Sequence, residues 1–212
     1  MPQAKPLIIY HRGRHGKDIR VKENTLRAFS RAIKEGAAMV EFDVWSGLRI
    51  THDPNPSTPV PTLTEALDLI RGRCAVNIEI KSPEVANKAM GIIAEALSLG
   101  PWAPEQIVVS SFHHKTALRV KHVFPELRVG VVNDGVLELS YIDWIAKQGV
   151  DNLHLEWVNV YMDIEDGCRM RKALRANNMQ IWVWTVNTKE IFDVVTAYGA
   201  DAVFTDKPQL FR

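Results

Sequence analysis

Short runs of β-branched and aliphatic residues alternate along the chain with longer segments whose apolar positions recur at helical spacing. The strand-like runs are 7–10, 39–44, 75–80, 107–109, 128–132, 151–155, 180–184 and 202–204. Between them, sets such as Leu26, Phe29 and Ile33, or Ala86, Met90, Ile93 and Leu97, fall on one face of a helix. Gly36, Gly100, Gly149 and Gly199 follow such segments, where glycine accepts the left-handed conformation beyond a helix end. Repeated strand–helix units imply a parallel sheet with right-handed crossovers, and eight of them in 212 residues predict a small (β/α)8 TIM barrel spanning 1–212 as one domain. A doubly wound open sheet is the competitor, disfavoured because no Gly-x-Gly-x-x-Gly follows the first strand. The proline-dense stretch 54–61 reads as a loop.

Composition narrows the function classes. Lys and Arg total 26 against 25 Asp and Glu, so a formal charge of +1 provides no global field for nucleic acid or an anionic membrane. Any anion must be held locally. Cys74 and Cys168 are too few and too far apart for a disulfide framework or a zinc or redox motif. With a polar start over residues 1–5 and no run long enough for a signal core or membrane span, the expectation is a cytoplasmic protein. Its oligomeric state is open.

Barrel enzymes carry their chemistry at the C-terminal ends of the strands, and here the polar residues cluster on three of them. The first strand runs into His11-Arg12-Gly13, the second carries Glu41-Phe42-Asp43, and the third Glu79-Ile80-Lys81. Residues two apart on a strand share a face, so Glu41 with Asp43, and Glu79 with Lys81, can converge on the barrel mouth. Buried carboxylates must be paired or coordinate a cation, and three of them suit a hard ion such as Mg2+ or Ca2+. Taken alone, Glu-x-Asp reads as surface acids of an edge strand or as salt-bridge partners. His11 offers a proton carrier, Arg12 a planar donor fork for an anion, and Gly13 a close backbone approach. His52-Asp53 ends a further β-like run, 48–51, from which it can lean over the same mouth.

In order, His11-Arg12-Gly13, Glu23-Asn24-Thr25, Glu41-Phe42-Asp43-Val44, His52-Asp53, Pro61-Thr62-Leu63 with Glu65, Ile78-Glu79-Ile80-Lys81, Trp184-Thr185-Val186-Asn187 and Thr205-Asp206-Lys207-Pro208 resemble the glycerophosphodiester phosphodiesterase family. The resemblance implies a (β/α)8 barrel and metal-dependent hydrolysis of a small-molecule glycerophosphodiester to glycerol phosphate and an alcohol. By position it implies Glu41, Asp43 and Glu79 as metal ligands, His11 and His52 as general acid and base, and Arg12 and Lys81 as phosphate contacts. Trp184 is a candidate for packing on the glycerol moiety or for rim packing. Lys22 stands where the family carries a proline, the stretch from Glu41 to His52 is shorter than usual, and the family's insertion after the His-Asp pair is nearly absent. A clipped hairpin makes the placement of His52 the open question, and the site is expected to be more exposed.

Other residues have plainer readings. Trp182 is expected in the core, His154 and Glu156 share a face and can reach the mouth, and His113-His114 cap or flank a helix. The basic stretch 115–122 alternates with Ala, Leu and Val and reads as a solvated helix face. Three alternatives to the phosphodiesterase are a lysophospholipid-specific enzyme of the same type, a catalytically silent phosphate-binding barrel, and a Schiff-base barrel with Lys81 in an apolar pocket.

Overall fold

The computed structural model describes residues 5–135 and 137–211, so most of the polar start of the chain lies outside the described residues. Strands β1 (Leu7–Tyr10), β2 (Met39–Trp45), β4 (Ala75–Ile80), β5 (Ile107–Ser111), β6 (Arg128–Asn133), β7 (Asn152–Glu156), β8 (Gln180–Trp184) and β9 (Ala202–Thr205) pair in parallel, each with its neighbours. Pairing of β1 with both β9 and β2 closes the barrel. A two-residue strand, β3 (Arg49–Ile50), turns back antiparallel on the end of β2, which puts the hairpin bearing His52 on the barrel rim.

Alternation along each strand separates two cores. Val40, Phe42 and Val44 of β2 point outward and, with Ile78 and Ile80 of β4, join the apolar layer beneath the surrounding helices. Inward-facing Ile9, Met39, Val108, Trp182, Ala202 and Phe204 form a smaller core inside the barrel. Trp182 is thus a core residue, as expected. Above that layer the interior turns polar, with Glu41, Asp43, Asn77, Ser110, Asn152 and His154 all buried. Gly130 on β6 leaves room for His154: a Cβ there would collide with the side chains of Asn152 and His154.

Helices α1 (Leu26–Lys34), α2 (Leu63–Ile70), α3 (Ala86–Leu99), α4 (His114–Val123), α5 (Leu139–Lys147), α6 (Trp157–Glu165), α7 (Arg169–Ala176) and α8 (Lys189–Tyr198) wrap the barrel. The units are less regular than the periodicity implied. Two helices, α6 and α7, separate β7 from β8, and β9 is followed only by a 3-10 turn, Pro208–Leu210. Cap chemistry sets the helices nearest the site. Thr25 Oγ1 accepts from Ala28 N (3.1 Å) at the start of α1. Thr62 and Glu65 form a reciprocal capping box on α2, which gives the Pro-Thr-Leu-x-Glu segment a structural role. Gly36, Gly149 and Gly199 have positive φ, but Gly100 is extended at φ −101°, ψ 179°, and so does not end its helix in the left-handed way expected.

His113 precedes α4 and His114 opens it, with His114 stacked on Tyr141 at 5.6 Å, so both flank the helix as read. Along α4, Lys115, Arg119 and His122 are exposed, whereas Lys121 folds down to pair with Asp151 at 3.0 Å and departs from the solvated face.

Candidate active site

The turn after β1 organises the site. Arg12 and Gly13 both take positive φ (55° and 82°), and Gly13 N donates to Tyr10 O (3.1 Å). A Cβ on Gly13 would press on Ala28 and Phe29, so this glycine serves the packing of α1 against the turn instead of approach to a ligand. The turn aims the Arg12 backbone N–H at Glu41 Oε2 (3.0 Å). It also lays the guanidinium across the rim, with Nε 3.0 Å from Asp43 Oδ2, Nη1 donating to Glu23 Oε1 (3.0 Å) and Nη2 donating to His52 Nδ1 (2.8 Å). Arg12 is therefore a brace between four elements of the site. The resemblance implied a phosphate contact, and in this arrangement the guanidinium nitrogens are turned to protein partners.

Glu41 and Asp43 are each only 1% exposed. With Glu79 they present one carboxylate oxygen apiece within 4.8 Å of one another. Lys81 Nζ donates to Glu79 Oε1 (2.6 Å) and lies 3.3 Å from Asp43 Oδ1. That pairing is not the apolar pocket a Schiff-base lysine needs. Asp43 accepts in addition from Asn24 Nδ2 (2.9 Å). Burial works to raise the Asp43 carboxyl, but His52, Arg12 and Lys81 outweigh it and hold it well below the usual carboxylate range. Glu41 goes the other way: burial, then the charges of Asp43 and Glu79, push it well above its ordinary value. Burial also raises Glu79, against the opposing pull of Lys81. Glu41 Oε1 is buried without a hydrogen-bond partner. Three converging carboxylates that repel one another, one with an orphaned oxygen, are the donor set a hard divalent cation fits.

Two histidines stand beside the carboxylates. His11 Nδ1 is 2.7 Å from Asp206 Oδ1, and its Nε2 is 3.8 Å from Glu41 Oε2. Asp206 is held in turn by Asn187 Nδ2 (2.7 Å) and lies 3.3 Å from His15 Nε2. Burial opposes its charge, yet His11, His15 and Asn187 keep its carboxyl far below the usual range. His52, with 52% of its side chain exposed, lies 3.7 Å from Asp43 Oδ2. The short hairpin thus carries His52 to the site.

His11, Arg12, Glu41, Asp43, His52, Glu79 and Lys81 border one partly open cavity of about 160 Å3. Its far wall is apolar and aromatic, formed by Phe112, Val132, Trp184 and Phe204. Trp184 Nε1 donates to His154 O (3.2 Å) and its ring meets Phe112 edge-on at 5.6 Å. Lys81 Nζ sits 5.0 Å above the Phe112 ring. The structure thus brings together all eight residues singled out from the sequence. Asp206, Asn24 and Phe112 were not singled out; Asp206 and Asn24 fall inside matched motifs, where their signal was available. His154 reaches the mouth's floor, buried, stacked on Trp182 at 4.9 Å and donating from Nε2 to Asn152 Oδ1 (2.6 Å). Burial lowers its pKa to about 3, so it stands neutral. Glu156 precedes α6 and does not border the cavity.

A model of the glycerophosphoryl diester phosphodiesterase family matches residues 11–56 and 45–210. A glycerophosphodiester phosphodiesterase of Caldanaerobacter subterraneus is 27% identical over 248 aligned positions, covering 97% of this chain and 96% of that protein. The alignment is longer than this chain, so the relative carries additional residues within it. One of Bacillus altitudinis is 25% identical over 95% of this chain and 94% of its own. Among solved structures, a glycerophosphodiester phosphodiesterase from Parabacteroides distasonis superposes with a TM-score of 0.80 at 20% identity, covering 99% of this chain and 96% of that one. An Oleispira antarctica phosphodiesterase, solved with the product sn-glycerol-3-phosphate, superposes at 0.79 with 22% identity over 97% and 95% of the two chains. With its closed barrel and a family match over nearly its whole length, the chain belongs to the glycerophosphoryl diester phosphodiesterase family.

Proposed function

We propose that the chain hydrolyses glycerophosphodiesters to glycerol phosphate and an alcohol, with a divalent cation held by Glu41, Asp43 and Glu79. The observation that carries the reading is the orphaned, buried Glu41 oxygen within the carboxylate cluster, flanked by two histidines in one cavity. When bound, Mg2+ or Ca2+ supplies positive charge against the negative charge that develops on the phosphoryl oxygens.

The chain's own residues supply proton transfer and positioning. An ionised Asp206 accepts the His11 Nδ1 proton, which leaves the Nε2 lone pair facing the cavity as a general base for the attacking oxygen. Arg12 can only donate, so the resting His52 accepts at Nδ1. As general acid it is the imidazolium, with Nδ1–H turned to its other neighbour, Asp43 Oδ2 (3.7 Å), and it gives its Nε2 proton to the departing alkoxide and returns to neutral imidazole. Lys81 is a phosphate contact, and a cation held by Glu79 and Asp43 would balance the charge that the lysine now pairs with. Trp184 and Phe112 offer an apolar face to the glycerol carbons. His154, neutral and buried, anchors the Trp184 indole through its carbonyl.

Among the described residues no helix is long and apolar enough to cross a membrane, and both cysteines are free, in keeping with work in a reducing cytoplasm. The assay that tests the reading follows glycerol phosphate release from glycerophosphocholine and from a lysophospholipid, with His11→Ala and His52→Ala beside the parent. Each replacement is expected to lower kcat by about 100- to 10,000-fold, the range of a general acid or base. Preference for the lysophospholipid would favour the lysophospholipase D alternative, and absence of any cleavage the silent barrel.

A further inference from the structure

A second cavity bears on the identity of the alcohol. An open cleft of about 850 Å3 lies between segments 15–25 and 50–60, and His52 borders both this cleft and the cavity over the carboxylates. A diester whose phosphate sits at the carboxylates, with one arm against the aromatic wall, has this cleft for the other arm. The proton donor assigned to the leaving group stands at the junction.

We propose that the cleft receives the leaving alcohol, and that Lys17, Arg20 and Lys22 on its wall select alcohols carrying a phosphate of their own. The inference rests on the phosphodiesterase reading above. The three cations are held on a built hook. Gly16 and Val21 exchange backbone hydrogen bonds (3.0 and 3.2 Å), and Arg20 N donates to Lys17 O (3.2 Å). Val21 is buried while Lys17, Arg20 and Lys22 are exposed. Arg14, buried at the root, lies 3.3 Å from Glu35 and 3.8 Å from Asp18.

Two acids share the cleft wall with the three cations, one of them ion-paired elsewhere and the other, Asp53, held only by a backbone hydrogen bond that leaves its charge in place. Glu23 pairs with Arg12 (3.0 Å), and Asp53 Oδ1 accepts from Asn55 N (2.8 Å). Among the described residues, Lys17, Arg20 and Lys22 have no acid at ion-pair distance. No Phe, Tyr or Trp lines this cleft among the described residues, so it lacks the box that recognises a quaternary ammonium. Because the chain as a whole carries only +1, this attraction is local.

The test compares kcat/KM at low ionic strength for glycerophosphoinositol 4-phosphate, glycerophosphoinositol and glycerophosphocholine, with and without the triple substitution Lys17→Gln, Arg20→Gln, Lys22→Gln. The parent is expected to favour the phosphorylated inositol diester over its unphosphorylated twin by about tenfold, mostly through KM, with the ratio shrinking as salt screens the charges. The triple variant is expected to bring that ratio near one and to lose calorimetric binding of inositol 4-phosphate. One common kcat/KM for all three diesters, or a ratio the triple variant leaves intact, overturns the assignment of the cleft. Cleavage of none of them by the parent defeats the phosphodiesterase reading and this proposal with it. Retention on phosphatidylglycerol vesicles that the triple variant loses, without any preference among the diesters, reassigns the cations to a lipid surface and also overturns the proposal.

Discussion

His11 Nδ1 lies 2.7 Å from Asp206 Oδ1, a contact that joins residues 195 apart in the sequence across the β1–β9 seam that closes the barrel. Asn187 fixes the carboxylate from behind at 2.7 Å, so the imidazole is held in one tautomer and one orientation. Asp206→Asn keeps an acceptor of nearly the same shape and removes the charge. Turnover is expected to fall by about 10- to 1,000-fold with KM little changed, read from steady-state kinetics across pH. Parent-like turnover and an unaltered pH profile in that variant would remove Asp206 from the mechanism.

The carboxylates set opposite pH dependences. Asp43 and Asp206 are held below the ordinary Asp value, so their contribution to stability is present above about pH 4 and is lost as pH falls toward their folded-state values. Glu41 and Glu79 are held above the ordinary Glu value, so theirs is present below about pH 4.3 and is lost as pH rises through the raised values. At neutral pH the cation-free cluster is therefore strained. Glu41→Gln is expected to raise the Tm of cation-free protein at pH 7.5 by about 2–4 °C, the scale of 1 kcal/mol in a chain of this size. It should at the same time shrink the further Tm rise on adding Mg2+ or Ca2+. Differential scanning fluorimetry at pH 5 and 7.5 reads both effects, and a variant less stable than the parent at pH 7.5 would contradict the strain.

Arg12→Lys tests the brace. A lysine keeps one charge but cannot span Glu23, Asp43 and His52 together. The expected loss in kcat/KM is about 10-fold or more, matching the 1.5–3 kcal/mol of a hydrogen bond to a charged group, and kcat should carry much of it because His52 loses its orientation. A pure KM effect would instead return Arg12 to the phosphate contact that the resemblance implied.

The barrel was legible because strands buried on both faces read as short β-branched and aliphatic runs between segments of helical period, and all eight barrel strands start within a residue of the expected positions. Glu41, Asp43, Glu79 and Lys81 were legible for the same reason: residues two apart must share the inner face. What the pattern could not convey were partners set by closure. Asp206 stands in a matched motif, but its partner His11 is set only when β9 lies beside β1. Arg12 is read as an anion clamp, and its pairing with Asp43 follows only from the positive-φ turn that folds the side chain back. His154 alternates correctly along β7, yet its burial depends on Gly130 across the barrel wall, a relation no local window contains.

Cation dependence of diester hydrolysis tests the central claim most directly. Protein stripped by exhaustive chelation is assayed for glycerol phosphate release from a glycerophosphodiester, then titrated with Mg2+ or Ca2+, with Asp43→Asn as the control at the carboxylate cluster. The expected result is no turnover after chelation, recovery that saturates with added cation, and no recovery in Asp43→Asn. Full turnover that persists after chelation would contradict the account.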